Sequence, residues 1–475
     1  MKRLNFYILL LIFGIACQNE KAIKEIAPPN IILIVADDLG YGDLSAYGQQ
    51  FFSTPNIDRL AQNGMLFTQF YSGSTVCAPS RSALMTGQHT GHTPIRGNKE
   101  VRPEGQHPLS QGTPTLAKML QKAGYATGAF GKWGLGSPGS EGDPLVQGFD
   151  TFYGYNCQRF GHHYYPTHLW HNRDSIVIAE NQNRADGVYG PNLIHQQTLQ
   201  FIDAHKEEPF FLYVPSIIPH AELAAPAATM SLFQDQFLPE KRYKGVDEGP
   251  TFGQGPYRSQ ETCHAAFAAM VTLLDQQVGE IIDRVETLGL SENTLILFTS
   301  DNGPHLEGGA DPDYFNSNGV FRGYKRDLYE GGIRVPLLAQ WPGKIAPQSQ
   351  SNHVAAFWDL FPTLNSLVDS NKERYNDGIS FLPTLLGEDK QMEHEYLYWE
   401  FHEKGGRQAL RREDWKLVKY DVFSVDETQV ALYDLAKDPG ESNNVAGLYP
   451  EKLKALEALL QDARVPSADF PFLEE

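Results

Sequence analysis

Asp37-Asp38 and Asp301-Asn302 are two oxygen-rich pairs, and each follows a short apolar run, residues 30–35 and 294–299. Continuous apolar runs of this kind are expected of strands buried on both faces. In open α/β sheets, ligands gather beyond the carboxyl ends of the strands. The two pairs offer three carboxylates and one amide oxygen, hard donors that suit calcium or magnesium. No Cys/His pair spacing and no His-Glu helix motif points to zinc. The second constellation is Cys77-Ala78-Pro79-Ser80-Arg81. Pro79 suits the first turn of a helix, residues 81–85 continue it, and Gly87 stops it. Cys77 then stands at a helix N-terminus, where backbone N–H groups and the dipole favour an anion. That placement would serve a thiolate nucleophile. Cys-x-Pro-Ser-Arg beside a carboxylate cation site is a narrower signal.

The elements that must hold these residues alternate in type. Thr113-Pro114 opens a helix that ends near Gly124, with Thr as the cap, and residues 125–130 read as a strand. Residues 193–205 read as a helix, 210–214 as a strand, and about 261–288 as a long helix. This order predicts an α/β fold, a large mainly parallel sheet flanked by helices. Residues 137–191, rich in aromatics, Gly and His, are expected to form long loops over the sheet. After about residue 385 the texture changes: residues 395–401, 415–420 and 431–435 look like antiparallel strands, and 449–463 like a final helix. The predicted division is a catalytic domain over 30–385 and a small C-terminal α+β subdomain over 386–475.

Asp37-Asp38, Cys77 to Arg81, Gly131-Lys132-Trp133, Asp301-Asn302 and residues 329–336 (Tyr-Glu-Gly-Gly-Ile-Arg-Val-Pro) together resemble the type I sulfatases, in order along the chain. Residues 432–439 with Asn443-Asn444 resemble that family's closing segment. The resemblance implies an alkaline-phosphatase-like fold and oxidation of Cys77 to formylglycine by a separate maturation enzyme. The aldehyde would hydrate to a diol; one hydroxyl would attack sulfur, and collapse of the diol would release sulfate. By matching positions, one calcium ion would be held by Asp37, Asp38, Asp301 and Asn302, with the group at Cys77 also touching the metal. Arg81 would steady the diol, Lys132 and Lys325 would bind sulfate oxygens, and His220 would protonate the leaving oxygen. The glycines of residues 329–332 are expected to allow close backbone approach. The chain departs from the family at Gly134, where many members have His. His305, His162 and His163 are the candidates to replace it, or Gly134 simply makes room for water.

Specificity is expected in the loops around the metal. His305 and Glu307 follow the metal ligands directly and can meet sugar hydroxyls. Residues 154–165 combine aromatics with Arg159, His162 and His163, a composition suited to an anionic sugar. With Gly134, this set resembles bacterial sulfatases acting on galactose or N-acetylgalactosamine sulfated at O4.

The 475 residues carry a formal net charge of −19, which argues against nucleic-acid binding and against broad capture of an anionic polymer. A sulfated carbohydrate must therefore be met by a local cluster of Lys, Arg and His. Lys2 and Arg3 precede an apolar run from residue 4 to 16, then Cys17, with Gly14 and Ala16 before it. This reads as a signal peptide over 1–17 with a lipoprotein cleavage box, followed by a tether over 18–29. The expectation is an exported protein, periplasmic or on the outer membrane, held by a lipid anchor, with no later segment apolar enough to span a bilayer. Of four cysteines, Cys157 and Cys263 remain without a role, so at most one disulfide is open to them. Two competing readings are a phosphomonoesterase or phosphodiesterase of the same superfamily and a non-catalytic binder of sulfated glycans. A two-zinc phosphatase would want more His and Asp ligands and a Ser or Thr nucleophile. A dead binder would be expected to have lost Cys77, a metal ligand or Lys132.

Overall fold

The computed structural model describes residues 28–250, 252, 256–368, 376–424 and 426–472. The predicted leader, Cys17 and the tether through residue 27 lie outside them.

The apolar run behind Asp37 forms β1 (Asn30–Ala36), buried along its whole length. Next come α1 (Pro55–Gln62), β2 (Met65–Tyr71), α2 (Cys77–Thr86), α3 (Leu116–Lys122), β3 (Ala126–Lys132) and β4 (Thr151–Tyr155). They are followed by β5 (His168–His171), β6 (Asp174–Val177), α4 (Gly190–Ala204), β7 (Phe210–Pro215), α5 (Cys263–Thr287), β8 (Thr294–Ser300) and β9 (Arg334–Gln340). The short strands β10 (Ser349–Ser351) and β11 (Ala355–Ala356) and helix α6 (Leu360–Val368) complete the larger unit. The sheet has the order β10-β2-β9-β8-β1-β7-β3-β4-β5-β6, with β11 also on β2. Its centre, β8-β1-β7-β3-β4, is parallel. Antiparallel β9 and β5 flank that centre.

Alternation along β1 divides the core. Ile32, Ile34 and Ala36 pack with α4 and α5, while Ile31, Leu33 and Val35 pack with α2, α3 and α6. A one-residue slip would exchange the two faces, so burial on both sides fixes the register. In that register Ala36 lies opposite Ser300, and the Asp301 N–H donates to the Ala36 carbonyl at 3.0 Å. The two oxygen-rich pairs therefore leave the sheet side by side.

A separate four-stranded antiparallel sheet follows: β12 (Leu397–Phe401), β13 (Arg407–Arg412), β14 (Trp415–Tyr420) and β15 (Gln429–Asp434). One face packs Trp399, Phe401 and Val418 against Tyr71 and Trp358 of the larger unit. The other packs Tyr398, Leu410 and Leu417 against Leu456 and Leu460 of α7 (Pro450–Asp462).

Three expectations need correction. Residues 137–191 are not only loops: they contribute β4, β5 and β6 to the main sheet. The helix expected at Thr113-Pro114 is capped instead by Thr115, whose hydroxyl accepts from the Lys118 N–H at 3.3 Å. And α5, with 25 residues, is long and apolar enough to cross a membrane, but 78% of its apolar window is buried inside the protein, as in a core helix. Cys157 and Cys263 are buried free thiols.

Candidate active site

α2 begins at Cys77, with extended Val76 before it, and ends at Gly87, whose φ of +67° closes the helix in the left-handed region. Each polar residue of the motif has a task. The Ser80 hydroxyl donates to the Asp301 carbonyl at 2.6 Å and accepts from the Gly73 N–H at 3.0 Å, tying α2 to the end of β8. The Arg81 guanidinium donates to Asp301 Oδ2 through Nε (3.1 Å) and Nη2 (2.9 Å), and through Nη1 to the Lys132 carbonyl. Pro79 lies in the first turn, where its missing N–H is not needed. The exposed Asn98 side chain accepts from the Ala78 N–H at 3.3 Å.

The charged groups converge on Cys77. Its thiol donates to Asp37 Oδ1 at 3.1 Å, and Lys132 Nζ lies 3.5 Å from Sγ and contacts Asp37 Oδ2. Lys325 Nζ donates to Asp38 Oδ2 at 2.8 Å and to His220 Nε2 at 3.0 Å. His220 Nδ1 donates to the Ala221 carbonyl, which leaves Nε2 as the acceptor. Ligand atoms of Asp37, Asp38, Cys77 and His220 all lie within 4.8 Å of one another. Asp38 sits at φ +64°, a left-handed conformation uncommon outside glycine, at the point where the chain turns off β1. Gly303, on the other strand end, approaches the Gly331 carbonyl so closely that a Cβ would stand 1.9 Å from it.

Burial and charge set the protonation states. Burial opposes the Asp37 carboxylate, but Lys132 above all, with Arg81, outweighs it and holds the group well below its usual range. Asp301 is pushed up to about 6 by burial and by Asp37, against the pull of Arg81. Burial pulls Lys325 down, yet Asp38 raises it well above the ordinary lysine value. Burial and the Lys325 ammonium push His220 far down, so its ring is neutral. The Cys77 thiol is pushed well up by burial, Asp301 and Asp37. Both effects oppose the thiolate that a helix N-terminus would favour.

The donor set fits a hard divalent cation. Asp37, Asp38 and Asp301 supply carboxylate oxygens, and Asn302 Nδ2 donates to Asp38 Oδ1 at 2.7 Å, while buried Asn302 Oδ1 has no hydrogen-bond partner. An orphaned buried oxygen among carboxylates is what such an ion would complete. Three carboxylates already face three cations, Arg81, Lys132 and Lys325. A dication would leave the site net positive, matched to an anionic substrate.

The substrate-side predictions divide. His162 stacks on His220, ring centroids 4.3 Å apart, and faces Tyr257 at 5.8 Å. Glu307 accepts from Tyr257 Oη at 3.0 Å, contacts Arg326 and lies 3.7 Å from Lys325 Nζ. His305 is buried and fully engaged: Nε2 meets the Pro219 carbonyl at 3.3 Å and Nδ1 accepts from the Glu307 N–H at 3.1 Å. It shapes the loop and has no ring nitrogen left for a sugar hydroxyl. Arg159 and His163 turn elsewhere. Arg159 pairs with Glu100 at 2.9 Å, and His163 pairs with Glu222 at 2.9 Å and lines a neighbouring cavity with Phe160 and Phe252. The place beside Gly134 is taken by none of the three histidines but by Gln158. Sequence reasoning missed Gln158, Tyr257, Arg326 and Asn98; only Arg326, next to Lys325, carried a local signal.

With this geometry in hand, the family match is decisive. A family model described as Sulfatase matches residues 29–370. The chain belongs to the sulfatase family. It is a sulfuric ester hydrolase. A second model, described as N-sulphoglucosamine sulphohydrolase, C-terminal, matches residues 319–464. Among curated relatives, this sulfatase is 30% identical over 548 residues to the N-acetylgalactosamine-6-O-sulfatase of Bacteroides thetaiotaomicron, covering 96% of this chain and 98% of that one. It is 33% identical over 472 residues to human arylsulfatase A, covering 91% and 87%. A solved structure described as Ps i-CgsB in complex with k-i-k-neocarrahexaose superposes with a TM-score of 0.73 at 28% identity, covering 92% of this chain and 91% of that one.

Proposed function

We propose that this sulfatase removes sulfate from a galactose-type sugar of a sulfated glycan, with position 77 as nucleophile and one calcium ion. The observation that carries the reading is the meeting of Cys77, Lys132, Lys325 and His220 over three buried aspartates and Asn302.

Conversion of Cys77 by a formylglycine-generating enzyme supplies an aldehyde hydrate, one hydroxyl for attack on sulfur and a second to expel sulfate. Asp37, Asp38, Asp301 and Asn302 would hold the calcium ion, which would supply Lewis acidity to a neighbouring hydroxyl and offset sulfate charge. Arg81, pinned by Asp301, orients position 77. The Lys132 ammonium, 3.5 Å from the Cys77 sulfur, and the Lys325 ammonium, bonded to Asp38 and His220, stabilise charge growing on the sulfate oxygens. The proton for the leaving ester oxygen is held on the Lys325–His220 pair, with His220 Nε2 directed by the hydrogen bond at Nδ1. Glu307, oriented by Tyr257 and Arg326, accepts a sugar hydroxyl.

For the sulfate position, two readings meet. The O4 resemblance leaned on Arg159, His163 and His305, which are engaged elsewhere, and the names of two relatives, an N-acetylgalactosamine-6-O-sulfatase and an N-acetylgalactosamine-6-sulfatase, favour O6. A panel of galactose, N-acetylgalactosamine and N-acetylglucosamine, each sulfated at different positions, separates them when offered to protein whose conversion at 77 is verified by mass spectrometry. Calcium-dependent release from one galactose-type ester supports the proposal and names the position. Release only from glucosamine sulfates would overturn the sugar assignment, and release from none would overturn the proposal as a whole.

A further inference from the structure

Gly134 has φ +77°, and a Cβ built there would stand 2.0 Å from Gln158 Nε2 and 2.9 Å from Gln158 Cδ. The Gln158 amide therefore occupies the volume that a side chain at 134 would take. The backbone explains how it arrives there. The N–H groups of Trp133 and Gly134 donate to the carbonyls of Tyr155 (2.9 Å) and Asn156 (3.0 Å), which carries the β3–β4 pairing two residues past Lys132. The following loop closes on the lysine stem, where a Cβ at Gly161 would meet Lys132 Cδ at 2.7 Å. Asn156 and Gln158 are thus held beside the strand end from which Lys132 reaches Cys77.

Both side chains are buried, at 0% and 7% exposure. None of their four amide nitrogen and oxygen atoms has a hydrogen-bond partner. Single unpaired polar atoms occur elsewhere among the described residues, but only Asn156 and Gln158 have both amide atoms unpaired, and two such amides side by side point to a ligand that completes them. An amide offers donors and an acceptor together and does not ionise.

We propose that Gln158, backed by Asn156, is a binding residue of the sulfate-ester site whose NH2 group donates to a sulfate oxygen. The inference rests on the sulfatase reading and goes beyond it, because it gives a non-titrating amide the place beside Gly134. Lys132 and Lys325 bind sulfate by charge; Gln158 fixes its rotation.

The test uses calcium-loaded, Cys77-converted protein, with the sulfated sugar that the panel identifies as substrate and inorganic sulfate as product inhibitor. Gln158→Met keeps the volume and removes the hydrogen bonds. It is expected to weaken inhibition by sulfate and to lower kcat/KM, each by about tenfold, while the melting temperature holds. Gln158→Glu adds a carboxylate facing the sulfate. Its kcat/KM at neutral pH is expected to fall further than that of the Met variant and to recover as the pH falls and the new carboxyl takes a proton, a limb the Met variant lacks. Gln158→Asn withdraws the amide by one methylene and gives the same reading if the Met variant does not fold. Wild-type kcat/KM and sulfate inhibition in the Met or Asn variant would overturn the inference and leave the amides as packing completed by water. Failure of the wild-type protein itself to release sulfate would overturn the parent reading, and this inference with it.

Discussion

Two clusters of buried charge in this molecule use similar residues and differ in what they leave over. Where β9 meets the C-terminal sheet, Glu330 accepts from Tyr71 Oη (2.6 Å), pairs with Arg334 (3.1 Å) and pairs with Lys416 (2.9 Å), which also reaches Glu441 at 3.0 Å. Burial raises Glu441, with Glu330 adding to the rise, and Lys416 above all holds Glu330 down against burial. The two carboxylates close on side chains of both sheets, so this cluster joins two units. At the ends of β1 and β8 the balance is different. Asn302 Oδ1 is orphaned, burial and two aspartates oppose a Cys77 thiolate, Lys132 lies 3.5 Å from the sulfur, and His220, bonded to Lys325, lies within 4.8 Å of it. The first cluster closes its carboxylates with ion pairs across two units, and the second leaves an amide oxygen beside carboxylates with no cation of the described residues to meet it.

Substitutions should separate the two. Lys416→Met leaves Glu330 and Glu441 buried without their shared cation and is expected to lower stability by about 3–5 kcal/mol in denaturant unfolding, with kcat/KM of the folded protein unchanged. Lys132→Ala in the calcium-loaded protein is expected to do the reverse: kcat falls by about 10²- to 10³-fold in steady-state kinetics, with little change in melting temperature. Equal effects of both substitutions on kcat would erase the distinction. Chelation sharpens it. Removing calcium should abolish turnover reversibly and remove about 2.7 kcal/mol of stability relative to a hundredfold excess over the dissociation constant. That loss should add to the Lys416→Met loss, since the sites do not share partners.

The smallest effect is a pH slope on the structural side. His89, just past α2, packs against Trp358 and Tyr398, and burial pushes it down to about 4 despite Asp377. An unfolded histidine titrates near 6.5, so between pH 6.5 and 4 the unfolded chain binds the extra proton. The stabilisation is complete above pH 6.5 and declines as the pH falls, by about 2 kcal/mol at pH 5. His89→Gln should flatten that part of the stability profile relative to wild type without changing kcat.

That Asp37, Asp38, Cys77, Asp301 and Asn302 would meet was legible in the sequence because each stands at the end of an element the sequence itself delimits. Asp37 and Asp301 follow apolar runs, and Cys77 precedes a proline-started helix that a glycine stops. The central strands were legible for the same reason. What reaches the site only through tertiary packing was not. Gln158 arrives through a loop after β4, a strand hidden within an aromatic and glycine-rich stretch, and Tyr257 comes from a loop with no local pattern. Composition alone misdirected Arg159 and His163, which pair with Glu100 and Glu222. Strand β13, Arg-Gln-Ala-Leu-Arg-Arg, has no β-branched residue to announce it and is held by pairing on both sides.

If conversion is what turns position 77 into a nucleophile, the unconverted thiol, which donates to Asp37 Oδ1 at 3.1 Å, should release no sulfate. The most direct measurement compares sulfate release from one sulfated sugar by calcium-loaded protein produced with and without a formylglycine-generating enzyme, with conversion counted by mass spectrometry. Many turnovers are expected in proportion to the converted fraction, and none from the unconverted thiol. Equal release from both preparations would contradict it.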